Sequence, residues 1–166
     1  MVRGEDNTTD LISGSNGVLE ANMTYAPGEV GMAFSDDGNG SAVSLGSLPA
    51  LELQNFTIEL WISRSDTNLV TESAFFPSGL FFSGGYGGYG FGLLTNGVPF
   101  FTTLNLGNVT GGQPITDTSF HHMAVTKNGS SVVIFEDGVA TFETNYSSTF
   151  SFEYGFAIGE IGRAHV

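Results

Sequence analysis

Short apolar or alternating runs, separated by turn signals such as Asn-Gly and Asp-Gly, recur along almost the whole of this sequence, and two of them show the alternation best. In Phe56-Thr57-Ile58-Glu59-Leu60-Trp61-Ile62, the residues Phe56, Ile58, Leu60 and Ile62 share one face of an extended strand, because successive side chains point to opposite sides. Trp61 falls on the other face with Thr57 and Glu59. The 3.6-residue period of an amphipathic helix is almost absent. His121-His122-Met123-Ala124-Val125-Thr126-Lys127, a turn at Asn128-Gly129-Ser130, and Val132-Val133-Ile134-Phe135 read as a β-hairpin. Asn-Gly accepts the positive φ that such a turn demands. Asn16-Gly17, Pro27-Gly28, Asn96-Gly97 and Asp137-Gly138 supply further turns. The pattern predicts strands at 18–22, 30–35, 42–45, 56–63, 80–83, 89–94, 99–103, 121–127, 132–136, 140–144 and 156–159. Short strands at such spacing specify an all-β, two-sheet antiparallel sandwich.

A chain of 166 residues suits one domain and can bury a core without covalent staples. Hydrophobic residues make up 40 %, with 15 Phe, against 13 % charged residues, a balance that excludes disorder. No repeat of fixed period and no linker interrupts the pattern. The formal charge of -13, from 17 acidic and four basic residues, repels phosphate backbones and anionic lipid. Nucleic acid is therefore excluded as a partner. The absence of cysteine excludes disulfides, thiolate catalysis and zinc-thiolate sites. No run approaches the roughly 20 apolar residues of a membrane span, so no membrane insertion is expected. Met1-Val2-Arg3 leads straight into Gly4-Glu5-Asp6-Asn7 without a signal peptide, so either the protein is cytoplasmic or the N-terminus of a secreted protein is missing, and the second is the expectation.

Motifs that carry chemistry are few. Gly85-Tyr86-Gly87-Gly88-Tyr89-Gly90 matches G-x-G-x-x-G, but Phe91-Gly92-Leu93-Leu94 after it reads as a strand, whereas dinucleotide binding needs a helix there. The tract has two other readings. Its glycines let the chain bend at a sheet corner, and Tyr86 and Tyr89 offer rings on which a sugar can stack. His121 and His122, as strand neighbours, point to opposite faces and cannot chelate one ion. One is expected inside the sandwich and the other on its surface. The paired carboxyls of a glycoside hydrolase are not spaced along any strand, and no G-x-S-x-G nucleophile occurs, so catalysis is not expected. Asp36-Asp37-Gly38-Asn39 is the densest group of oxygen ligands, either an ordinary turn or a calcium loop. N-x-S/T sequons begin at Asn7, Asn22, Asn39, Asn55, Asn108, Asn128 and Asn145, in keeping with an exported chain.

Several of these segments, taken in order, resemble a known family. Phe120-His121-His122-Met123-Ala124-Val125 through Asp137-Gly138, Phe56 to Ile62 with its Glu59-Leu60-Trp61 centre, Gly31-Met32-Ala33-Phe34-Ser35-Asp36-Asp37-Gly38, and the opening Gly4-Glu5-Asp6-Asn7 with Asp10 are similar to the laminin-G-like, concanavalin A-like lectin/glucanase jelly rolls. Phe120 stands where the family usually has Trp. The resemblance implies a non-catalytic binding or adhesion module of a larger secreted or cell-surface protein, with a glycan or extracellular protein as ligand and neighbouring domains in a longer chain. The alternative it leaves is a structural sandwich of an extracellular assembly. It also implies that Asp10 joins Asp36, Asp37 and Asn39 around a calcium ion, the sole cofactor expected.

The last six residues, Ile161-Gly162-Arg163-Ala164-His165-Val166, read as the translation of a short-read sequencing adapter whose next codon is a stop. The expectation is one domain over 1–160, incomplete at its C-terminus and at its N-terminus, followed by an artefactual 161–166 in a fragment of metagenomic type.

Overall fold

The alternating segments meet in two antiparallel layers. The computed structural model describes residues 5–11, 14–37, 40–67 and 78–159. Among them run β1 (Val18–Glu20), β2 (Thr24–Pro27), β3 (Met32–Ser35), β4 (Ala42–Gly46), β5 (Phe56–Ile62), β6 (Ser78–Ser83), β7 (Tyr89–Leu94), β8 (Pro99–Thr103), β9 (Gly107–Thr110), β10 (His121–Asn128), β11 (Ser131–Glu136), β12 (Val139–Asn145) and β13 (Phe156–Ile158). A seven-stranded sheet has the order β1-β4-β13-β6-β7-β8-β9, a four-stranded sheet has the order β12-β11-β10-β5, and β2 and β3 form a separate hairpin. Non-consecutive neighbours such as β4 and β13 give the crossovers of a jelly roll. No helix among the described residues is long and apolar enough to cross a membrane.

Register decides which side chains make the core. In the small sheet Leu60 lies opposite Met123 and Ile58 opposite Val125, while Val125 and Lys127 pair in turn with Ile134 and Val132. In the large sheet Phe91 lies opposite Phe101. The inward faces interdigitate as Tyr89, Phe91, Leu93, Phe101, Met123, Val125, Val132, Ile134, Phe150 and Phe156, all almost fully buried. The ring of Phe56 in β5 stacks on that of Tyr89 in β7 at 3.9 Å, one sheet directly on the other. Between the sheets, the Tyr89 hydroxyl donates to the Leu51 carbonyl. Burial pushes its phenol up to about 12, so it stays a donor throughout the physiological range.

Two strands have no counterpart in the predicted set. β9, Gly-Asn-Val-Thr, is poor in strand-forming residues and is held at the sheet edge by pairing with β8. β2 is four residues long and runs into Pro27-Gly28; its partner β3 supplies the ladder. Predicted segment 18–22 stops at Glu20, where Ala21 takes φ +52. Segment 30–35 begins at Met32, because Gly31 sits at φ +68 and the Met32 amide donates to the Glu5 carboxylate. The Asp137-Gly138 turn has φ +49 and +81, the doubly left-handed pair expected of a two-residue hairpin. The segment 161–166 lies outside the described residues.

Tyr89 is therefore the residue through which the two sheets are joined. Tyr89→Ala is expected to lose about 3–5 kcal/mol and to lower the melting temperature by on the order of 10 °C in a domain of this size. Thermal melts of the variant beside wild type check this. A shift as small as that of an ordinary surface substitution would show that the stacking carries little of the stability.

Candidate functional site

At one end of the sandwich, three connections come together because β6 ends there, β7 begins, β8 ends, β9 begins and β13 begins. They are 84–88, 104–106 and 146–155. Gly87 N donates to the Leu104 carbonyl (3.1 Å), Leu104 N to that of Gly88 (2.9 Å), and Ser151 N to that of Gly87 (3.0 Å). Such close seating is possible only without side chains: a Cβ on Gly85 would stand 2.7 Å from Tyr154 Cβ, and one on Gly87 would strike the Ser151 hydroxyl. Both glycines also have positive φ. The result is a hydrogen-bonded rim carrying Tyr86, Leu106 and Tyr154 at 43 %, 63 % and 58 % exposure.

Of the two rings expected to offer a sugar-stacking face, only Tyr86 is exposed. Tyr89 is a correction. As the first residue of β7 it shares the inward phase of Phe91 and Leu93, and its ring is enclosed by Phe56, Phe82, Phe150 and Phe156. Sequence reasoning missed Tyr154. Phe150, Phe152, Tyr154 and Phe156 alternate as one face of a strand would, yet a bend at 153–154 turns Tyr154 outward while the three Phe residues pack inward.

The acidic loop lies at the opposite end, before β4. Asp37 accepts from the Asn22 amide (2.7 Å) and the Ser41 hydroxyl (2.6 Å), which fills two of the roughly four acceptor positions of a carboxylate. Asp36 is half-buried, near where a Cβ on Gly159 would stand. Asp10 sits in a turn closed by Gly14 N donating to its carbonyl. Asn39 lies outside the described residues. No three acidic or histidine side chains among the described residues converge as a metal-holding group.

The histidines separate by face as strand geometry requires, but both are half-buried, so neither is a core residue. His121 lies opposite Ile62 on the inward phase, yet at the open end of the sandwich. Its Nδ1 is 2.8 Å from Asp137 and its Nε2 is 3.2 Å from Asp117. Asp137 also accepts from His122 N, so the carboxylate fixes the β11–β12 turn to the start of β10. On the outer face, His122 packs edge-on against Trp61 at 5.2 Å, and Trp61 is half-exposed. Glu136 is buried, accepts from Gln113 N, and is raised by burial above the usual carboxylate range.

The basic side chains among the described residues, Arg64 and Lys127, are both buried. Arg64 donates to the carbonyls of Ile115, Thr67 and Thr95, joining three loops. Lys127 donates to the Gly129 carbonyl and lies over the Phe150 ring, and burial lowers its pKa.

Residues 37–165 match the model of the concanavalin A-like lectin/glucanases superfamily, laminin G type. The chain belongs to this superfamily. Among solved structures of the same fold, Domain 4 of AbnA, a GH43 extracellular arabinanase from Geobacillus stearothermophilus, in complex with arabinotriose, has TM-score 0.69 and 17 % identity, over 95 % of this chain and 83 % of that one. A putative carbohydrate binding protein from Bacteroides ovatus has TM-score 0.50 and 14 % identity, over 86 % of this chain and 36 % of that one. The binding domain of botulinum neurotoxin serotype G has TM-score 0.59 and 10 % identity, over 90 % and 43 %. No curated protein matches the sequence. In this superfamily member the sandwich is thus a concanavalin A-like scaffold whose loops set the surface chemistry.

The His121 clamp has a pH signature. Hydrogen bonding to Asp137, then to Asp117, raises His121 above the ordinary imidazole range. His121 holds Asp137 below the usual carboxylate range, and the Ser119 amide followed by His121 does the same for Asp117. Stability from His121 is fully present below the unfolded value of about 6.5 and is lost as pH rises through the raised folded value. Stability from the two carboxylates is present above about 3.9 and is lost as pH falls through their lowered values. Wild type should therefore lose melting temperature as pH rises above the ordinary imidazole value of about 6.5 and through the raised folded value, and His121→Gln should flatten that decline. Parallel slopes for the two proteins in a pH series of thermal melts would show that the clamp does not titrate in this window.

Proposed function

We propose that this chain is a non-catalytic carbohydrate-binding module of a larger extracellular or cell-surface protein. The observation that carries this reading is the fixed rim of exposed tyrosines on a concanavalin A-like sandwich. A sugar ring presents apolar C–H faces that pack on an aromatic plane, and Tyr adds a hydroxyl to bond the sugar's edge. Rigid loops lower the ordering penalty of binding. Domain 4 of AbnA, which shares this fold, was solved with arabinotriose.

Non-catalytic action agrees with the state of the carboxyl groups. Hydrolysis of a glycosidic bond takes an acid and a base or nucleophile facing each other across the substrate. Asp117 and Asp137 are instead engaged by His121, and Glu136 is buried against the Gln113 amide. A glycan array probed with the purified chain is expected to show saccharide binding, and the bound saccharides are expected to be recovered uncut. Release of reducing ends would reassign the chain to hydrolysis, and an array without any bound saccharide would remove the glycan reading.

Calcium dependence is a separate proposal for Asp36 and Asp37 with Asn39 and Asp10. Calcium takes about six to eight oxygen ligands. The described carboxylates do not converge as a group of three, so a cation there needs Asn39 and backbone carbonyls as well. An ion that binds only the native state raises its stability by mass action. Millimolar Ca²⁺ is expected to raise the melting temperature, and the pair Asp36→Asn, Asp37→Asn to abolish the gain. An unchanged wild-type melt would end the calcium proposal.

A further inference from the structure

We infer that the ligand is an uncharged glycan and that it docks on the rim formed by Tyr86 and Tyr154, with Leu106 beside them; this rests on the carbohydrate-binding reading above. Two observations place it there. First, large apolar side chains are exposed singly on most proteins and mean little. Here two tyrosines stand on connections whose backbones abut, with Gly85 and Tyr154 so close that no Cβ fits between them. Tyr86 follows Gly85 directly, so both side chains leave the surface from neighbouring points. The connections are also tied by backbone hydrogen bonds from Gly87, Leu104 and Ser151. Two planes rooted side by side suit consecutive sugar units more than a single one. Asn105, Ser151 and Glu153 are exposed on the same connections and offer amide, hydroxyl and carboxylate groups to sugar hydroxyls.

Second, the described surface has no lysine or arginine to offer. Arg64 and Lys127 are spent inside the molecule on carbonyl oxygens and on the Phe150 ring. His121 and His122 belong to the far end of β10. A uronate, sulfate or other acidic sugar is recognised through charge-assisted bonds, for which Arg and Lys are the usual donors. Such a ligand would approach a chain of net charge -13 with Glu153 at the rim and no exposed cation there among the described residues, Lys127 being buried over the Phe150 ring. Neutral sugars carry no such penalty.

The outer face of the small sheet is the competing surface, because Trp61 is half-exposed there. It is also the chain's sole tryptophan, which makes it a reporter. The rim adjoins the start of β7, whereas Trp61 stands near the opposite end of β5. A sugar on the rim should leave the tryptophan emission unchanged.

The test is calorimetric titration of the full chain with arabinotriose, cellotriose, xylotriose and mannotriose, and with trigalacturonate as the acidic counterpart, while tryptophan emission is followed in parallel. At least one neutral trisaccharide should bind and trigalacturonate should not. Tyr86→Ala and Tyr154→Ala should each weaken binding roughly tenfold or more, as truncation of a contact tyrosine does. Both variants should melt with wild type, because neither ring is buried. Binding that survives both substitutions, or that shifts the Trp61 emission, overturns the rim and leaves the carbohydrate-binding reading intact. Preference for trigalacturonate overturns the uncharged class. If no saccharide binds a correctly folded chain, the rim and the reading on which it rests both fall.

Discussion

The stack of Phe56 on Tyr89 is where the two layers of this molecule become one. The rings lie 3.9 Å apart, one from each sheet, and Phe150 and Phe152 from the connection before β13, with Phe156 at the start of β13, close round Tyr89. Aromatic rings bury large areas and favour offset or edge-on contacts, so a cluster of this kind fixes spacing and rotation together. The Tyr89 hydroxyl finds the Leu51 carbonyl and removes the penalty of burying a polar tip. Shifting either strand by one residue would turn its aromatic ring out to solvent, which is why the register is so firmly set.

The same cluster fixes the rim. Phe150 and Phe156 bound the connection that carries Tyr154, and Tyr89 ends the one that carries Tyr86. With both anchors inside the core, the intervening residues are pressed together, and glycine at 85 and 87 is what allows the approach. Rigidity at the surface is thus inherited from packing in the interior. The opposite end is held by other means: Arg64 gathers three carbonyls, and His121 spans two carboxylates. Burying a guanidinium and an ammonium in a chain this acidic leaves a described surface without lysine or arginine charge, and its field repels anions.

Most strands were legible because an exposed-buried alternation has one physical cause, the pleat. β5 shows it: Ile62 is buried, Phe56, Ile58 and Leu60 are half-buried, and the residues between them are exposed. Turn residues were legible for a similar reason, since Asp137-Gly138 needs positive φ at both positions and few residues other than Asn, Asp and Gly tolerate it. β9 was not legible, because a Gly-Asn-Val-Thr edge strand exists through the ladder that β8 offers and not through its own propensity. Asp10, Asp36 and Asp37 could be named as oxygen donors, but their distance from one another in space is invisible to spacing along a chain. Tyr154 was hidden by an alternation that the backbone breaks at a bend.

By itself, then, the sequence determined the class of structure, the faces of its strands, the sites of its tight turns and the sign of its surface, because each follows from local sterics or from summed charge. Only the tertiary structure decided what the tyrosines do. Tyr86 and Tyr89 are three residues apart in one glycine-rich tract and look alike in sequence, yet one is a surface ring and the other joins the sheets. The difference is the phase of β7, which begins at Tyr89 and sends its side chain inward with Phe91 and Leu93. Phase is set by the partner strands and the facing sheet, which lie far away along the chain.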